Sequence, residues 1–400
     1  MRGGKLKRWA AIVLVILVTS GCAGMNLPIA TTPTKAQVDE SPRGGAVIES
    51  RPMENLDPRI LAMNPEAVHV LYRSKSAIDG SPTEVSGSVF VPAGKPPHGG
   101  WPIVAVAHVT SGINFECAPS LSPNLFGMAG LVAAWLDFGY AVAVSDYQGL
   151  GAPGVHPYLD AQTAGYNVID SVRALREVSD AVSKRWAAYG GSQGGGAAWA
   201  ANELADLYAP ELTLLGSVST VPIPDPSDLA QQAADRALTF DQTSAYVWVL
   251  ISLQRLFPDF PIDEYRHGLA TEHWAALSAC QGPDAYTRAE VLNQLTPDDL
   301  APSTPEATER IVRILAKMAV PQRRTSAPIL VIYGGADTYV APQWTRRAIA
   351  ESCAMGSKLG AIEEPGKGHL DVDGGAFMGW LTARFDGLPA PQNCDAQQPR

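Results

Sequence analysis

Length, composition and charge exclude several classes of protein at the outset. The chain has 400 residues, more than the roughly 100–200 that one simple domain needs. Apolar residues make up 46% of it and charged residues 18%, which argues against an intrinsically disordered protein. The net charge is -10, and an acidic chain lacks the basic surface that binds phosphate backbones, so we expect no nucleic-acid partner.

The first 21 residues are typical of a secretory signal peptide. Residues 1–8 include basic residues and no acids, an apolar run covers residues 9–18, and small residues precede Cys22. Small residues before a cysteine resemble a bacterial lipobox, in which the signal is cleaved and the Cys22 thiol is lipidated. We therefore expect an exported protein, either anchored to the outer face of the cell membrane through Cys22 or secreted. An ordinary secretory signal with an incidental cysteine is the alternative.

Both ends of the chain have the composition of flexible segments. Residues 22–55 are rich in Pro, Thr, Ser and Gly and lack apolar periodicity, so we predict a tether there. Residues 389–400 are rich in Pro, Gln and Asn and are predicted to be a disordered tail. The folded protein then begins near residue 56 and ends near residue 388.

The first folded segment predicts a β-hairpin followed by buried strands. Residues 68–72 and 85–91 have strand composition on either side of a turn at residues 79–82. Short continuous apolar runs at residues 103–107 and 141–145 are typical of strands buried on both faces.

Helices and strands alternate from there onward. We predict helices at 162–178, 194–208, 343–353 and 374–385, and strands at 186–189, 212–221 and 329–333. Such alternation predicts a mixed, mostly parallel sheet with helices on both faces and the hairpin at its edge.

The alternation stops over residues 222–326. The periodicity there predicts helices at 228–238, 243–257, 262–277, 286–294 and 308–318. We interpret this segment as a helical cap over the carboxyl edge of the sheet. It divides the core into a longer stretch, residues 56–221, and a shorter one, residues 327–388.

The strongest chemical motif is a G-x-S-x-G sequence formed by Gly190, Ser192 and Gly194. It follows a predicted strand and precedes a predicted helix, the context in which a sharp turn exposes a nucleophilic serine over the sheet edge. The backbone amide of Gln193 is then one donor for an oxyanion. A glycine-rich connection without chemistry is the alternative. A phosphate-binding loop does not fit, because the Gly-Lys-Ser/Thr sequence is missing.

The order of a triad on such a sheet is Ser, then acid, then His. Downstream of the serine, His267 and His273 fall inside the cap, whereas His369 lies in a loop between a predicted strand and the last helix. We therefore assign the general base to His369.

Asp337 closely follows the predicted strand 329–333 and suits the orienting acid. Asp371 and Asp373 are rivals, although they stand only two and four residues from the histidine. A second oxyanion donor is expected in the loop after strand 103–107, where the backbone or hydroxyl of Thr110 is our candidate.

Four cysteines remain after removal of the signal, namely Cys117, Cys280, Cys353 and Cys394. An even number in an exported protein suggests two disulfides. Three pairings are possible, and free thiols are the alternative.

Together these motifs resemble the secretory lipase family, the fungal lipase A group and its bacterial relatives, over most of residues 60–385. The resemblance is carried by residues 108–112, 117–120, 145–151, 191–195 and 334–337. It implies an α/β-hydrolase core with a helical cap. It also implies Ser192, Asp337 and His369 as the triad, and hydrolysis of carboxylic esters, including acylglycerols.

The resemblance further implies a bond between Cys117 and Cys280, which leaves Cys353 to pair with Cys394. One position departs from the family, because Val109 stands where relatives often have Gly in the oxyanion loop. Valine resists a positive φ, so the shape of this loop is in question.

The residues therefore predict an exported serine lipase or esterase that needs no metal or organic cofactor. The alternatives are an acyltransferase or peptidase with the same triad, or a non-catalytic surface lipoprotein. We expect the apolar residues of the cap either to wall an acyl chain or only to form the cap's own core; they are Phe240, Tyr246, Trp248, Leu250, Leu253, Leu256 and Phe257. The oligomeric state stays open.

Overall fold

The computed structural model describes residues 44–394, and nine strands within them form one sheet. The strands are β1 (Val47–Pro52), β2 (Glu66–Lys75), β3 (Pro82–Val91), β4 (Trp101–Ala107), β5 (Ala141–Ser145), β6 (Val182–Gly191), β7 (Thr213–Thr220), β8 (Ile329–Gly334) and β9 (Leu359–Glu364). Their order is β1-β2-β3-β5-β4-β6-β7-β8-β9. Pairing is antiparallel from β1 to β5 and parallel from β5 to β9.

The α-helices within residues 44–394 are α1 (Pro58–Leu61), α2 (Ala129–Asp137), α3 (Ala161–Val178), α4 (Gln193–Tyr208), α5 (Asp228–Ala234), α6 (Phe240–Leu256), α7 (Gly268–Glu272), α8 (Pro283–Leu292), α9 (Pro305–Met318), α10 (Pro342–Ala354) and α11 (Ala376–Phe385). Helices α2, α3, α4, α10 and α11 pack on the two faces of this sheet, and five more α-helices lie in the segment 222–326. Successive side chains of β4 point to opposite faces of the sheet, as the two-residue period of a strand requires. Ile103 packs with α3 and α4, whereas Val104 packs with α2 and α11. The expected mixed, mostly parallel sheet is confirmed.

The folded region begins earlier and ends later than the sequence indicated. Strand β1 lies within the predicted tether and pairs with β2, Val47 opposite Tyr72, so the boundary at residue 55 was wrong. Its side chains are mostly exposed, and a solvent-facing edge strand gives no apolar alternation. At the other end, Asn393 donates its backbone N–H to the Leu359 carbonyl (3.0 Å). The first part of the predicted tail is therefore ordered.

Several predictions fall on residues that the structure does not describe. Residues 1–43, with the signal peptide, Cys22 and most of the tether, lie outside the described residues, as do residues 395–400. Within residues 44–394, no helix combines the length and the apolarity that crossing a membrane requires.

The segment 222–326 is largely helical, but one predicted helix, residues 262–277, was wrong. Only Gly268–Glu272 of it forms an α-helix. The backbone turns at Gly268, whose φ is +42°, and the Asp299 carboxylate accepts the Leu269 amide at 3.0 Å. A side chain from a distant turn thus starts a new short helix where the periodicity indicated a continuous one.

Candidate active site

The turn between β6 and α4 presents Ser192 with its backbone in an unusual conformation. Its φ is 55° and its ψ is −120°, a conformation that costs free energy and persists only when the surroundings impose it. The neighbouring glycines explain how. A Cβ on Gly190 would lie 2.0 Å from the Gly194 carbonyl oxygen, and one on Gly194 would lie 2.1 Å from that of Ala107. The G-x-S-x-G spacing is therefore a steric requirement of this turn.

The structure brings Ser192, His369 and Asp337 together in one hydrogen-bonded line. Ser192 Oγ lies 2.9 Å from His369 Nε2, and His369 Nδ1 lies 2.8 Å from Asp337 Oδ2. The other carboxylate oxygen of Asp337 accepts the backbone N–H groups of Tyr339 (2.8 Å) and Val340 (2.9 Å). Both carboxylate oxygens thus have donors that fix their orientation, and the imidazole is held between acid and hydroxyl.

The rival residues lie outside this line. Asp371 accepts the backbone N–H of Gly368, and Asp373 accepts that of Gly375 at 2.9 Å. Both carboxylates therefore shape the loop that carries the histidine. In the cap, His267 contacts the Ala301 carbonyl at 3.0 Å.

The two candidate oxyanion donors both lie beside the serine. Gln193 is the first residue of α4, so its N–H has no acceptor inside the helix, and the helix dipole favours negative charge there. Thr110 lines the same cleft as Ser192. Val109 does not have a positive φ, so the loop tolerates valine without the strain that the departure from the family suggested.

Sequence reasoning missed His156, which contacts the side chain of Gln193, one of the two candidate oxyanion donors. Its Nδ1 lies 2.9 Å from the Gln148 carbonyl oxygen, and its Nε2 lies 3.1 Å from Gln193 Nε2. Burial lowers the pKa of His156 to about 3. The neutral ring therefore donates from Nδ1 to Gln148 and accepts the Gln193 side-chain amide. The chain order of a triad points only downstream of Ser192, and His156 lies upstream of it.

Asp146 and Tyr147 follow β5 directly and anchor loops beside the turn. Asp146 accepts the Ser86 hydroxyl at 2.6 Å and the Ser120 backbone N–H at 2.9 Å, and burial raises its pKa to about 6. Tyr147 donates its hydroxyl to the His108 carbonyl at 3.0 Å and stacks on the His108 ring at 4.1 Å. These contacts fix the start of the loop that carries Thr110.

A cleft of about 450 Å³ opens over the serine. It is lined by Val109, Thr110, Tyr189, Gly191, Ser192, Thr220, Val221, Asp241, Tyr339, His369, Leu370, Val372 and Gly374. Loops at the carboxyl ends of the strands supply most of this wall, and the cap supplies Asp241. By contrast Tyr246, Trp248 and Leu250 are buried in the core of the cap and do not line this cleft, so for these three residues the second alternative, a role only in the cap's own core, holds.

Two disulfides have the pairing that the resemblance implied. Cys117 is bonded to Cys280 across 163 residues and ties the loop after β4 to the cap. Gly112 lies against this bond, since a Cβ there would be 2.3 Å from Cys117 Sγ. Cys353 at the end of α10 is bonded to Cys394.

The sheet order and the strained serine in the turn between β6 and α4 define the fold as an α/β-hydrolase. The model of the family described as Secretory lipase matches residues 128–393. The chain therefore belongs to the secretory lipase family.

Two of the relatives are distant but cover most of the chain. A Mycobacterium tuberculosis protein named as a probable inactive lipase is 25% identical over 370 residues, 86% of this chain and 79% of that protein. Lipase A of Arthroderma benhamiae is 23% identical over 353 residues, 81% of this chain and 72% of that protein.

Solved structures share the fold. Candida antarctica lipase A in its closed state superposes with a TM-score of 0.71 at 21% identity, covering 88% of this chain and 84% of that one. The rice cell wall degrading esterase LipA of Xanthomonas oryzae superposes with a TM-score of 0.64 at 21% identity, covering 89% and 100%.

Proposed function

We propose that this protein is an exported serine hydrolase that cleaves carboxylic esters, including acylglycerols, through an acyl-enzyme. The observation that carries the proposal is the line from Ser192 Oγ to His369 Nε2 to Asp337, with both hydrogen bonds shorter than 3 Å. Geometry of this kind activates a hydroxyl that is otherwise a weak nucleophile.

The geometry supports the following sequence of steps. Ser192 Oγ attacks the ester carbonyl while its proton passes to His369 Nε2. Asp337 keeps the Nδ1 proton in place and stabilises the imidazolium. The carbonyl oxygen becomes negative and accepts a hydrogen bond from the backbone amide of Gln193 at the start of α4. When the tetrahedral intermediate collapses, the proton on Nε2 leaves with the alcohol, and the acyl group stays on the serine.

Deacylation repeats these steps with water. His369 takes a proton from the water, whose oxygen attacks the acyl carbonyl, and returns it to Ser192 Oγ as the acid departs. Each group thus ends in its starting state. None of these steps needs a metal or an organic cofactor, and we expect none.

The decisive experiment compares the purified protein with its Ser192→Ala variant on a series of p-nitrophenyl esters. We expect turnover by the wild type and a loss on the order of 10⁴–10⁶-fold in the variant. Equal turnover of the two would overturn the proposal. Preference for long acyl chains would indicate a lipase, and preference for short ones an esterase.

The relative named as probably inactive gives a specific reason to test a non-catalytic binding role. The triad geometry of this chain favours catalysis instead. A wild type that neither turns over esters nor reacts with a fluorophosphonate at Ser192 would support the binding role. Adding a competing alcohol or amine to the ester assay separates hydrolysis from acyl transfer, and a peptide substrate tests the peptidase alternative.

Export is supported by membership of a family described as secretory and by two disulfides, which persist in oxidising compartments. We further propose that Cys22 is lipidated and holds the enzyme at the outer face of the cell membrane. Cys22→Ser should then release the protein into the medium. Continued retention with the cells would count against the anchor.

A further inference from the structure

The hydroxyl of Thr110 has a buried neighbour that the steps above do not use. Thr110 Oγ1 lies 3.1 Å from the hydroxyl oxygen of Tyr158, and Tyr158 is only 2% exposed. Thr110 lines the cleft over Ser192, whereas Tyr158 lies outside the cleft wall. The contact thus joins a candidate oxyanion donor to a phenol that does not reach the substrate.

The number of protons decides what this contact does. A threonine hydroxyl has one proton to donate and two lone pairs to accept with. If Thr110 donated to Tyr158, no proton would remain for an oxyanion. A phenol, with an ordinary pKa near 10, is the stronger acid and the better donor of the two. Tyr158 also shares a hydrogen bond with the Tyr339 hydroxyl. When Tyr339 donates to Tyr158, the single Tyr158 proton goes to Thr110, which leaves the Thr110 proton free for the cleft.

Charge around the phenol favours the same direction. The guanidinium of Arg288 interacts with both Tyr158 and Tyr339, and a nearby positive charge stabilises the partial negative charge on a donating phenol oxygen. Arg288 is itself held in the cap, since it donates to Ser244 Oγ at 2.6 Å and lies 4.0 Å over the Trp248 ring. Successive polarised hydroxyls strengthen one another.

The cap also fixes the position of the phenol. Helix α6 places Ser252, whose hydroxyl accepts the Tyr158 backbone N–H at 3.0 Å and donates to the His156 carbonyl at 2.7 Å. Trp248 on the same helix meets the Tyr158 ring edge to face at 5.9 Å. One rigid helix therefore sets where the Tyr158 hydroxyl points.

We propose that Tyr158 is a positioning residue for the oxyanion: its hydroxyl donates to Thr110 Oγ1 and thereby directs the Thr110 proton to the ester oxygen that becomes negative. The inference rests on the proposed ester hydrolysis and makes the Thr110 hydroxyl the second oxyanion donor. It also gives the cap a role in catalysis besides supplying Asp241 to the cleft wall.

The test is a set of variants assayed for kcat and KM on p-nitrophenyl butyrate. Thr110→Val removes the donor and keeps the shape, and we expect kcat to fall by about 100-fold. Tyr158→Phe removes the directing hydroxyl, and we expect kcat to fall by about tenfold with KM unchanged. In the Thr110→Val background, Tyr158→Phe should change kcat less than about twofold, because no proton remains to be directed. Thr110→Ser keeps the hydroxyl, so Tyr158→Phe should again lower kcat in the Thr110→Ser background, unlike in the Thr110→Val background.

Tyr265→Phe is the matched control. Tyr265 is also buried, and it donates its hydroxyl to the Ala307 carbonyl at 2.9 Å within the cap. This variant should lower the melting temperature about as much as Tyr158→Phe while leaving kcat unchanged.

The outcomes separate this inference from the proposed function. A wild type without turnover overturns the proposed function, and the role of Tyr158 falls with it. An active wild type whose kcat is unchanged by Tyr158→Phe overturns the role of Tyr158 alone. Equal losses with the native Thr110 and in the Thr110→Val background would show that Tyr158 acts on general structure, and would also overturn it.

Discussion

Replacing Gly194 with alanine tests whether the serine turn is as tightly packed as the structure shows. The added Cβ would lie 2.1 Å from the Ala107 carbonyl oxygen and 2.7 Å from that of His108. Real Cβ contacts essentially never fall below 3.0 Å, so the first separation must grow by about 0.9 Å. Both oxygens belong to backbone at the end of central strand β4, which side-chain rotation cannot relieve. Either α4 or the loop leading to Thr110 must therefore move.

We expect this shift to lower both the free energy of unfolding and kcat. Overpacking a well-packed site costs about 1–3 kcal/mol, which we expect in the free energy of unfolding from urea titration. A displacement of about 1 Å between nucleophile and oxyanion donors costs on the order of 100-fold in rate, measurable as kcat on p-nitrophenyl butyrate.

Gly379→Ala is the matched control for this substitution. Gly379 lies inside α11, and a Cβ there would meet no heavy atom within 4 Å. We expect it to stabilise the protein by about 0.5–1 kcal/mol through helix propensity alone and to leave kcat unchanged. If Gly194→Ala behaved like this control, the steric account of the G-x-S-x-G turn would be refuted.

Three further predictions concern the site and the disulfides. Asp337→Asn should lower kcat by about 10³–10⁴-fold, because the imidazole loses its orienting carboxylate; retained kcat would point to another acid. Replacing both Cys117 and Cys280 with serine should lower the free energy of unfolding by about 2–5 kcal/mol, and an unchanged urea midpoint would contradict this. Burial lowers the pKa of His156 from 6.5 to about 3, so the unfolded chain binds a proton first, and stability is lost as pH falls from about 6.5 toward 3. In urea titrations at successive pH values, the free energy of unfolding of His156→Asn should fall less steeply with decreasing pH than that of the wild type. An equally steep fall would show that other groups cause the loss.

Much of the core could be predicted because its signals are local. The hairpin of β2 and β3 is marked by turn residues between two runs of strand composition, and both strands formed. Strand β5 occupies the predicted residues 141–145, since strands covered by helices on both faces are continuously apolar. Strand β1 and the break at Gly268 were missed. An exposed edge strand shows no alternation of apolar residues, and a helix that begins at a hydrogen bond to a distant carboxylate shows no change in apolar periodicity.

The sequence by itself determined the order of elements and the candidate triad. The Gly-x-Ser-x-Gly spacing follows from backbone sterics within one turn, and the order of serine, acid and base restricts the histidine to a few positions. His369 is 177 residues from Ser192, yet the order of strands places both at one edge of the sheet. Local chemistry and topology are sufficient for that inference.

Only the tertiary structure decided what supports these residues. The contact of His156 with Gln193 joins side chains 37 residues apart, and that of Tyr158 with Thr110 joins side chains 48 residues apart. No fixed sequence spacing predicts either contact, because the distance between the side chains depends on how the helices and loops between them pack. The same packing buried Tyr246 and Trp248 in the core of the cap and left the cleft to be walled mostly by loops of the sheet. Burial and donor–acceptor geometry are properties of the assembled fold, and a linear pattern of residue types does not contain them.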